Sequence, residues 1–585
     1  MKSFIKTFFA VLAANIILVA LLFVFVAGIG ASMKAGKKPE IKEGSYLVID
    51  LYGEIMSYDP PQSIPESLIG DKPETLHRVL SNLEKARVDD RIAGVIFKLS
   101  RNNGLGLGMI EEIRGEIGKI KKAGKPVYAY GDGFDQRTVL LASACDSIFI
   151  SPPGEVYFVG LGMTAMYTKG LFEKLGIKTE IHKIADYKSA AEMVMRKDMS
   201  PEAREMRTWM LKEIWEMATG AISEGRGLSE EKLTEYMEYA IFSADEAVEA
   251  GLIDEILYYS ELKDKLKGED DEKLETVGQE DYAKVTRESV GLKGKKRIAI
   301  VHAHGMIGGR ESQVNPMLGA MMGHETVAAN LLEAAEDDKV EAIVFRVNSG
   351  GGESLTSDLI MHAVDQVMEK KPVIVSMVDV AASGGYYIAY HGTKMVANRM
   401  TITGSIGSIS GKFNTSGMYN KLGITFDSVT MGPNALMMSD HTDFTREQRK
   451  RFVENHWDGF NRWLGDVAEH RGMTFEEAEK LAHGRVWTGR QALENGLIDE
   501  LGGLDRAIEL AKVEAGIVAG EEVTLVHYPK AKGMLASIMG GKGLATALYR
   551  WMIYKFIHED LADTYRYLGS GGMEAWAEET AVPGR

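Results

Sequence analysis

Four short segments in the first half of this chain recur in the second half, in the same order. EAVEAGLIDEI at 246–256 resembles QALENGLIDEL at 491–501, and GLFEKLGI at 170–177 resembles GMYNKLGI at 417–424. Two further pairs, DDRIAGVIFKLS with DDKVEAIVFRVN and KPVYAY with KPVIVS, keep the order, and the four spacings are 245 to 248 residues. Unrelated amphipathic helices would not repeat collinearly, so the sequence indicates an internal duplication.

Each half alternates short apolar runs, typical of buried strands, with amphipathic stretches of helical length. This alternation predicts an α/β fold with a mostly parallel sheet in each half. The chain of 585 residues is long enough for two large domains. We predict a membrane anchor over 1–40, a first repeat over 41–290, a second repeat over 291–525 and a C-terminal tail over 526–585. The charged segment 262–296 is predicted to be a solvated connection between the repeats.

The N-terminal segment 8–29 is apolar almost throughout, and Asn15 is its one strongly polar residue. A helix of this length extends about 33 Å, enough to cross the hydrocarbon core of a bilayer. We predict a single transmembrane helix; a cleaved signal peptide is the alternative, because small residues follow at 27–31. Lysines flank both ends and do not determine the orientation. In the tail, the segment 534–557 fits an interfacial amphipathic helix or a helix packed on a neighbouring subunit.

Composition excludes several functional classes. The net charge is −16 and the basic residues are scattered, so no nucleic-acid partner is expected. The single cysteine, Cys145, excludes an intrachain disulfide and a zinc site built on thiolates. No HExxH motif is present, and His302 and His304 alternate on a strand and face opposite sides. We therefore predict neither a metal nor a cofactor.

A serine distinguishes the second half from the first. The motif VAASGGYY at 380–387 follows an apolar run and leads into a helix-like segment. A serine with small neighbours at a strand-to-helix turn lies close to free backbone N–H groups, which suits a nucleophile. The duplication places Gln136 opposite Ser383, so the first half has no nucleophile at this position. An ordinary helix N-cap is the alternative interpretation of Ser383.

A lysine distinguishes the first half from the second. Lys188 lies in DYKSAAE at 186–192, and the duplication places Ala435 opposite it. A lysine acts as a general base only when it is neutral, which requires burial to lower its pKa from about 10.4. An exposed lysine near a helix start is the alternative. Three glycines at 350–352 follow a second-half strand, and their N–H groups could stabilise an oxyanion or hold a phosphate.

Taken together, these motifs resemble the family of signal peptide peptidase A, also called protease IV, in its long duplicated form. The resemblance is carried by RVNSGGG at 346–352, ASGGYY at 382–387, TGSIGS at 403–408, DYKSAAE at 186–192, VWTGRQA at 486–492 and GLIDEL at 496–501. It covers roughly residues 40–525 and the N-terminal anchor. It implies two tandem domains of the Clp protease/crotonase superfamily behind a transmembrane helix.

The resemblance also implies a serine endopeptidase without a cofactor. Ser383 would be the nucleophile and Lys188 the general base of a Ser/Lys dyad. The N–H of Gly384, with that of Gly351 or Gly352, would form the oxyanion hole. Ser405 would help to orient or desolvate Lys188.

The same resemblance implies a single-pass protein of the bacterial inner membrane, with extracytoplasmic catalytic domains assembled as a homotetramer. Its substrates would be signal peptide remnants and other apolar peptides. Two residues depart from the family pattern: Gly350 replaces a proline, and Glu353 replaces a serine. A crotonase-like acyl-CoA enzyme and a catalytically silent membrane scaffold are the alternatives.

Overall fold

The computed structural model describes residues 40–58, 74–268, 272–315 and 319–530, together with Ala13, Ile16, Ile17 and Leu21. Apart from those four residues, the predicted anchor lies outside the described part of the chain, as does the tail beyond Lys530. Within the described residues, no helix is long and apolar enough to cross a membrane.

The first half is built on a six-stranded sheet in which all neighbours are parallel. Its strands, from one edge to the other, are Glu255–Ile256, Ser147–Ile150, Val127–Gly131, Ile92–Asn103, Ser45–Gly53 and Thr276–Gly278. Central parallel strands are covered on both faces, which explains why their sequences are continuously apolar.

The second half repeats this strand order. The corresponding strands are Glu500–Leu501, Lys394–Ala397, Val373–Ala382, Val340–Ser349, Arg297–His304 and Thr524–Tyr528, again parallel. Ile402–Gly404 pairs with the far end of Val373–Ala382, and Val486–Thr488 pairs with it in turn. The predicted α/β fold with parallel sheets is confirmed, and the shared strand order matches the sequence repeat.

In the first half, the strands that correspond to this extension form a separate small sheet of Phe134–Asp135, Glu155–Phe158 and Ala240–Ser243. The remaining described strands are short: Ile55–Met56, Glu74–Thr75, Lys178–Lys183, Met306–Ile307, Gln313–Asn315, Gly319–Met322 and Ile409–Asn414.

Helices cover both faces of the second sheet, whereas in the first sheet alternate residues of strand Ser45–Gly53 are only half-buried or are exposed. In the described first half they are Leu76–Val88, Leu107–Lys122, Gln136–Ala142, Lys169–Leu175, Glu192–Met195, Pro201–Arg226, Glu230–Tyr239, Ala244–Glu249, Tyr259–Leu266 and Gln279–Tyr282. In the second half they are His324–Glu336, Ser354–Met368, Gly384–Tyr387, Ser416–Lys421, Arg446–Arg471, Phe475–Leu481, Gly489–Glu494 and Leu504–Glu514. Short 3₁₀ turns occupy Ser189–Ala191 and Arg287–Val290.

The two halves share a hydrophobic core. Along one second-half strand, Ile298 and Ile300 join a cluster that extends through the first half, whereas Ala299 and Val301 join a second cluster. This alternation is expected for a strand with two covered faces. Helix Leu107–Lys122 of the first half packs so closely on the second sheet that a Cβ at Gly108 would lie 2.2 Å from the Val378 carbonyl oxygen.

Polar contacts fix the relative position of the halves. The Arg346 guanidinium donates to Glu112 Oε2 at 2.6 Å, and both side chains are buried. Asp379 Oδ1 accepts from the Met109 N–H at 3.1 Å, in the first turn of helix Leu107–Lys122. A buried charge left without its partner is strongly destabilising, so this pair favours one docking geometry.

The prediction of a solvated connection over 262–296 is wrong. Thr276–Gly278 is the edge strand of the first sheet, and Tyr282 is completely buried. The Tyr282 hydroxyl donates to Asp89 Oδ2 at 3.0 Å, and Lys85 donates to the Tyr282 carbonyl at 3.0 Å. A few well-placed apolar and aromatic residues anchor this charged segment, which its overall composition did not reveal.

Candidate active site

Ser383 lies where strand Val373–Ala382 passes into helix Gly384–Tyr387. Its backbone has φ 56° and ψ −119°, a conformation that non-glycine residues rarely adopt. The Ser383 N–H donates to the Gly404 carbonyl at 2.9 Å, which helps to hold the turn. Ser383 occupies the N-cap position, but its side chain makes no capping hydrogen bond. The simple N-cap interpretation is therefore wrong.

The amine of Lys188 faces this serine within the same chain. Lys188 Nζ lies 2.9 Å from Ser383 Oγ, 2.7 Å from the Ser405 carbonyl oxygen and 3.0 Å from Ser405 Oγ. The lysine is buried, with 6% of its surface exposed, and burial lowers its pKa to about 7. The interpretation of Lys188 as an exposed lysine is wrong. At neutral pH a large fraction of the amine is uncharged.

A strand pair between the halves positions Lys188. Lys178–Lys183 of the first half runs antiparallel to Ile409–Asn414 of the second. The chain then continues past the second half, where the Ile184 N–H donates to the Ser408 carbonyl at 2.8 Å and the Tyr187 N–H to the His483 carbonyl at 3.0 Å. The amine thus reaches Ser383 only because the two halves dock.

A glycine that sequence reasoning did not single out allows this approach. Gly484 has φ 76°, and a Cβ there would lie 2.5 Å from Lys188 Cα. Any side chain would therefore push the lysine loop away from the serine. The only signal in the sequence was its place just before the VWTGRQA motif at 486–492.

The glycine loop and the serine turn are in direct backbone contact. A Cβ at Gly351, which has φ 100°, would lie 2.6 Å from the Gly384 nitrogen. A Cβ at Gly384 would lie 2.7 Å from Ser357 Oγ and 3.0 Å from the Gly352 nitrogen. Glycine is required on both sides because no side chain fits between the two backbones.

The hydrogen bonds of this loop distinguish the candidate oxyanion donors. The Gly351 N–H donates to Ser349 Oγ at 3.2 Å. Within the described residues, the N–H groups of Gly352 and Gly384 have no acceptor. An oxyanion can therefore bind to Gly352 and Gly384 without displacing an existing hydrogen bond.

Of the two residues that depart from the family pattern, Glu353 uses its carboxylate for local hydrogen bonds. Glu353 Oε2 accepts from Thr356 Oγ1 at 2.6 Å and from the Gly309 N–H at 3.4 Å. The hydrogen bond from Thr356 is the main reason why the pKa of Glu353 is lowered. No atom lies within 4 Å of a Cβ placed at Gly350.

Comparison with known proteins identifies related sequences. A family model described as "Peptidase family S49" matches residues 119–273 and 365–518. "Serine protease SPPA, chloroplastic" of Arabidopsis thaliana is 34% identical over 513 residues, covering 86% of this chain and 74% of the relative. "Protease 4" of Haemophilus influenzae is 30% identical over 527 residues, covering 86% and 84%. "Putative signal peptide peptidase SppA" of Enterococcus faecium is 32% identical over 221 residues, covering 37% and 63%.

The paired α/β domains and these relatives define the chain as a serine protease. It belongs to peptidase family S49, with one matched region in each half.

Proposed function

We propose that this protein is a membrane-anchored serine endopeptidase of Clp/crotonase-like fold, with Ser383 as nucleophile and Lys188 as general base. The observation that carries this proposal is the 2.9 Å distance from Lys188 Nζ to Ser383 Oγ, where burial lowers the pKa of the lysine to about 7. A neutral amine at hydrogen-bond distance from a serine hydroxyl is the arrangement that general-base activation requires.

The hydrogen bonds around the amine fit its neutral form. A neutral lysine has two N–H donors and one lone pair. The Ser405 carbonyl and Ser405 Oγ, at 2.7 and 3.0 Å, accept the two N–H groups. The lone pair is then left for the Ser383 hydroxyl, which donates its proton along the 2.9 Å contact. Ser405 thus acts as a positioning residue for the base.

The reaction follows from this geometry. Ser383 Oγ attacks the peptide carbonyl carbon while its proton passes to Lys188, and the carbonyl oxygen becomes an oxyanion bound by the N–H groups of Gly352 and Gly384. The C–N bond then breaks, and the Lys188 ammonium gives its proton to the leaving amine. In the second step, water attacks the acyl-enzyme with Lys188 again as base, which releases the acid and restores Ser383.

We propose signal peptide remnants and other apolar peptides as substrates, and an extracytoplasmic location at the bacterial inner membrane. The apolar segment 8–29 and the name of the Enterococcus faecium relative support this assignment. An apolar peptide cleaved in membrane vesicles by wild type, but not by Ser383→Ala, would support it. Recovery of the full chain in the soluble fraction would contradict the anchoring.

We also propose that the chain assembles into the homotetramer that the family resemblance implies, through a strand pair that is unused within the chain. Lys178–Lys183 pairs with Ile409–Asn414 inside the chain. At an offset of 247 residues their repeat counterparts are 425–430 and 162–167, and neither forms a described strand. We propose that 425–430 of one chain pairs with 162–167 of the next. The strand pair seen inside the chain would then be repeated between chains, and the chains would close into a ring.

The exposed side chains of these segments support the assembly. Met166 is 71% exposed and Val429 is fully exposed, as is Met431, which directly follows the second segment. We expect Val429→Asp to reduce the molar mass measured by light scattering, because a charge would be buried at the new strand pair. Val513→Asp is the matched control, since Val513 is also exposed (66%) but lies on helix Leu504–Glu514. An unchanged mass for Val429→Asp would contradict this interface.

The test of the dyad is labelling by a serine-reactive fluorophosphonate. We expect wild type and Gln136→Ala to be labelled, and Ser383→Ala and Lys188→Ala to lose labelling at unchanged oligomer size. Labelling that persists in Ser383→Ala would place the nucleophile elsewhere. Absence of labelling in wild type would favour the acyl-CoA enzyme or the scaffold.

A further inference from the structure

A second cluster of titratable side chains lies on three elements of the second half. Asp466 and His470 are four residues apart on helix Arg446–Arg471 and so lie on one face of it. His391 lies in the turn that follows helix Gly384–Tyr387. Asp365 lies on helix Ser354–Met368. In the described part of the chain, none of the hydrogen bonds of these residues reaches Ser383 or Lys188.

Three of these side chains converge as metal ligands do. His391, Asp466 and His470 each offer one ligand atom, and these atoms all lie within 4.8 Å of one another. His391 Nε2 lies 2.9 Å from Asp466 Oδ2. The rings of His391 and His470 stack with their centroids 3.7 Å apart. His391 is buried, whereas His470 is exposed.

Both imidazoles have an acceptor beside Nδ1. His391 Nδ1 lies 2.5 Å from Asp365 Oδ1, and His470 Nδ1 lies 3.0 Å from the Asp466 carbonyl oxygen. Hydrogen bonds from Nδ1–H to a carboxylate or a backbone carbonyl are what orient metal-binding histidines and leave Nε2 as the ligand. For His391 this leaves Nε2 facing Asp466, whereas His470 Nδ1 also lies 3.4 Å from Asp466 Oδ1.

The contact between His391 and Asp466 brings two ligand atoms together. When His391 Nδ1 donates to Asp365, the lone pair of Nε2 faces Asp466 Oδ2 at 2.9 Å. The Tyr390 hydroxyl donates to the same Asp466 oxygen. A metal ion bound to both atoms would take the place of this direct contact.

We propose that His391, Asp466 and His470 bind a zinc ion, with Asp365 as the outer carboxylate and water in the fourth position. Imidazole and carboxylate ligands suit Zn²⁺. Zinc bonds of about 2.0–2.1 Å set tetrahedral ligand atoms about 3.4 Å apart. Zinc binding must therefore lengthen the 2.9 Å contact between His391 Nε2 and Asp466 Oδ2, while the exposed His470 side chain moves to complete the site. The ion would link helix Arg446–Arg471 to the turn that follows helix Gly384–Tyr387. Its main effect is therefore to raise the stability of the fold.

This site was invisible in the sequence. An aspartate and a histidine four residues apart on a helix are common, and the third ligand lies 75 residues away from Asp466. Only the packing of the helix against the turn brings His391 to them.

The test uses the full chain stripped of metal with a chelator. Zn²⁺ is titrated in competition with a chromophoric chelator, and Co²⁺ is used as a spectroscopic substitute. We expect one Zn²⁺ per chain in wild type, with visible Co²⁺ absorption of tetrahedral intensity and a higher thermal midpoint when zinc is bound. His470→Gln should weaken zinc binding at least about tenfold and remove the change in thermal midpoint. His470 is exposed, so this variant is expected to fold.

Two controls make the result decisive. His362→Gln removes an exposed imidazole from the helix that carries Asp365, and Ser383→Ala removes the nucleophile. Both should bind zinc like wild type. Equal zinc affinity in wild type and His470→Gln, or no stoichiometric binding by wild type, would overturn the proposal. Loss of zinc in Ser383→Ala would assign the ion to the catalytic site and overturn it as well.

Discussion

In both halves of the chain, the strand next to the sheet centre leads towards a short helix, but the two helices begin differently. In the first half, Asp135 Oδ1 accepts from the Thr138 N–H at 2.8 Å, and a complete capping box closes the start of helix Gln136–Ala142. In the second half, Ser383 occupies the equivalent start, makes no capping bond and directs Oγ at Lys188. One helix start is stabilised locally, whereas the other leaves its polar groups available.

The loops beside these helices differ in the same way. At an offset of 248 residues, Gly104 corresponds to Gly352. The Gly104 N–H donates to the Gly53 carbonyl at 2.7 Å, whereas the Gly352 N–H has no acceptor within the described residues. Arg137, opposite Gly384, donates to the Leu105 carbonyl at 3.3 Å. The first half thus has the same fold, but its polar groups at these positions already form internal hydrogen bonds.

The base shows the opposite asymmetry. Lys188 of the first half is buried at the interface, whereas its counterpart Ala435 is exposed. The second half therefore supplies the serine and the first half supplies the lysine. A duplicated fold allows this division because one copy can carry the proposed nucleophile, Ser383, while the other positions the proposed base, Lys188.

The largest effect is expected at the serine position. Ser383→Ala should lower peptide cleavage by at least about 10⁴-fold, because it removes the hydroxyl that we propose forms the acyl-enzyme. Gln136→Ala should leave activity unchanged. The double variant Ser383→Ala/Gln136→Ser should stay inactive, since the capping box and Ala435 provide neither an accessible hydroxyl nor a base. Activity restored by Gln136→Ser would show that either half can supply the nucleophile, and would contradict the difference between the halves described above.

The next effect is expected at the lysine position. Lys188→Met keeps the length of the side chain and removes the amine, so cleavage should fall about 10³- to 10⁴-fold. Ala435→Met places the same residue at the exposed counterpart and should have no effect on the cleavage rate. Thermal midpoints of both variants separate loss of the base from loss of folding. Near-normal cleavage by Lys188→Met would remove the lysine from the mechanism.

A smaller effect is expected in the glycine loop. A Cβ at Gly352 would lie 1.9 Å from the Ile307 carbonyl oxygen, so Gly352→Ala must move the loop and its free N–H. We expect kcat to fall about 10²- to 10³-fold, as for loss of one oxyanion donor. In Gly104→Ala, the new Cβ would lie 3.0 Å from the Ile55 nitrogen. This variant should therefore lower the free energy of unfolding without lowering kcat. Equal losses of kcat in both variants would assign the effect to folding.

The pH dependence tests the state of the base. Because burial lowers the pKa of Lys188 to about 7, the ammonium form predominates below that pH and cannot accept the serine proton. We expect kcat/KM to rise about tenfold per pH unit below about 7 and to level off above it. The measurement needs an uncharged peptide substrate. A flat profile from pH 5 to 9, with chemistry rate-limiting, would contradict a lysine base.

The sequence was sufficient to predict the duplication, the parallel sheets and both members of the candidate dyad. The duplication follows from repeated segments, and Ser383 and Lys188 follow from motifs present in one half only, whereas the order of the strands required the structure. The choice between Gly351 and Gly352 required the structure, because it depends on a hydrogen bond from Gly351 to the hydroxyl of Ser349. The burial of Lys188 could also be seen only in the structure, because residues of the other half cover its side chain. Contacts between segments that are far apart in the chain leave no recognisable pattern in the local sequence.

The smallest effect is expected at Ser405, where the base is positioned. Ser405 has φ 51°, and its N–H donates to the Arg485 carbonyl at 2.7 Å, so the backbone of the turn is held without its side chain. Ser405→Ala removes the hydroxyl 3.0 Å from Lys188 Nζ but keeps the carbonyl contact at 2.7 Å. One neutral hydrogen bond contributes about 1 kcal/mol, so kcat should fall about fivefold to tenfold with little change in KM. A 10³-fold loss would place Ser405 in the proton transfer itself, and the second half would then supply part of the base as well as the nucleophile.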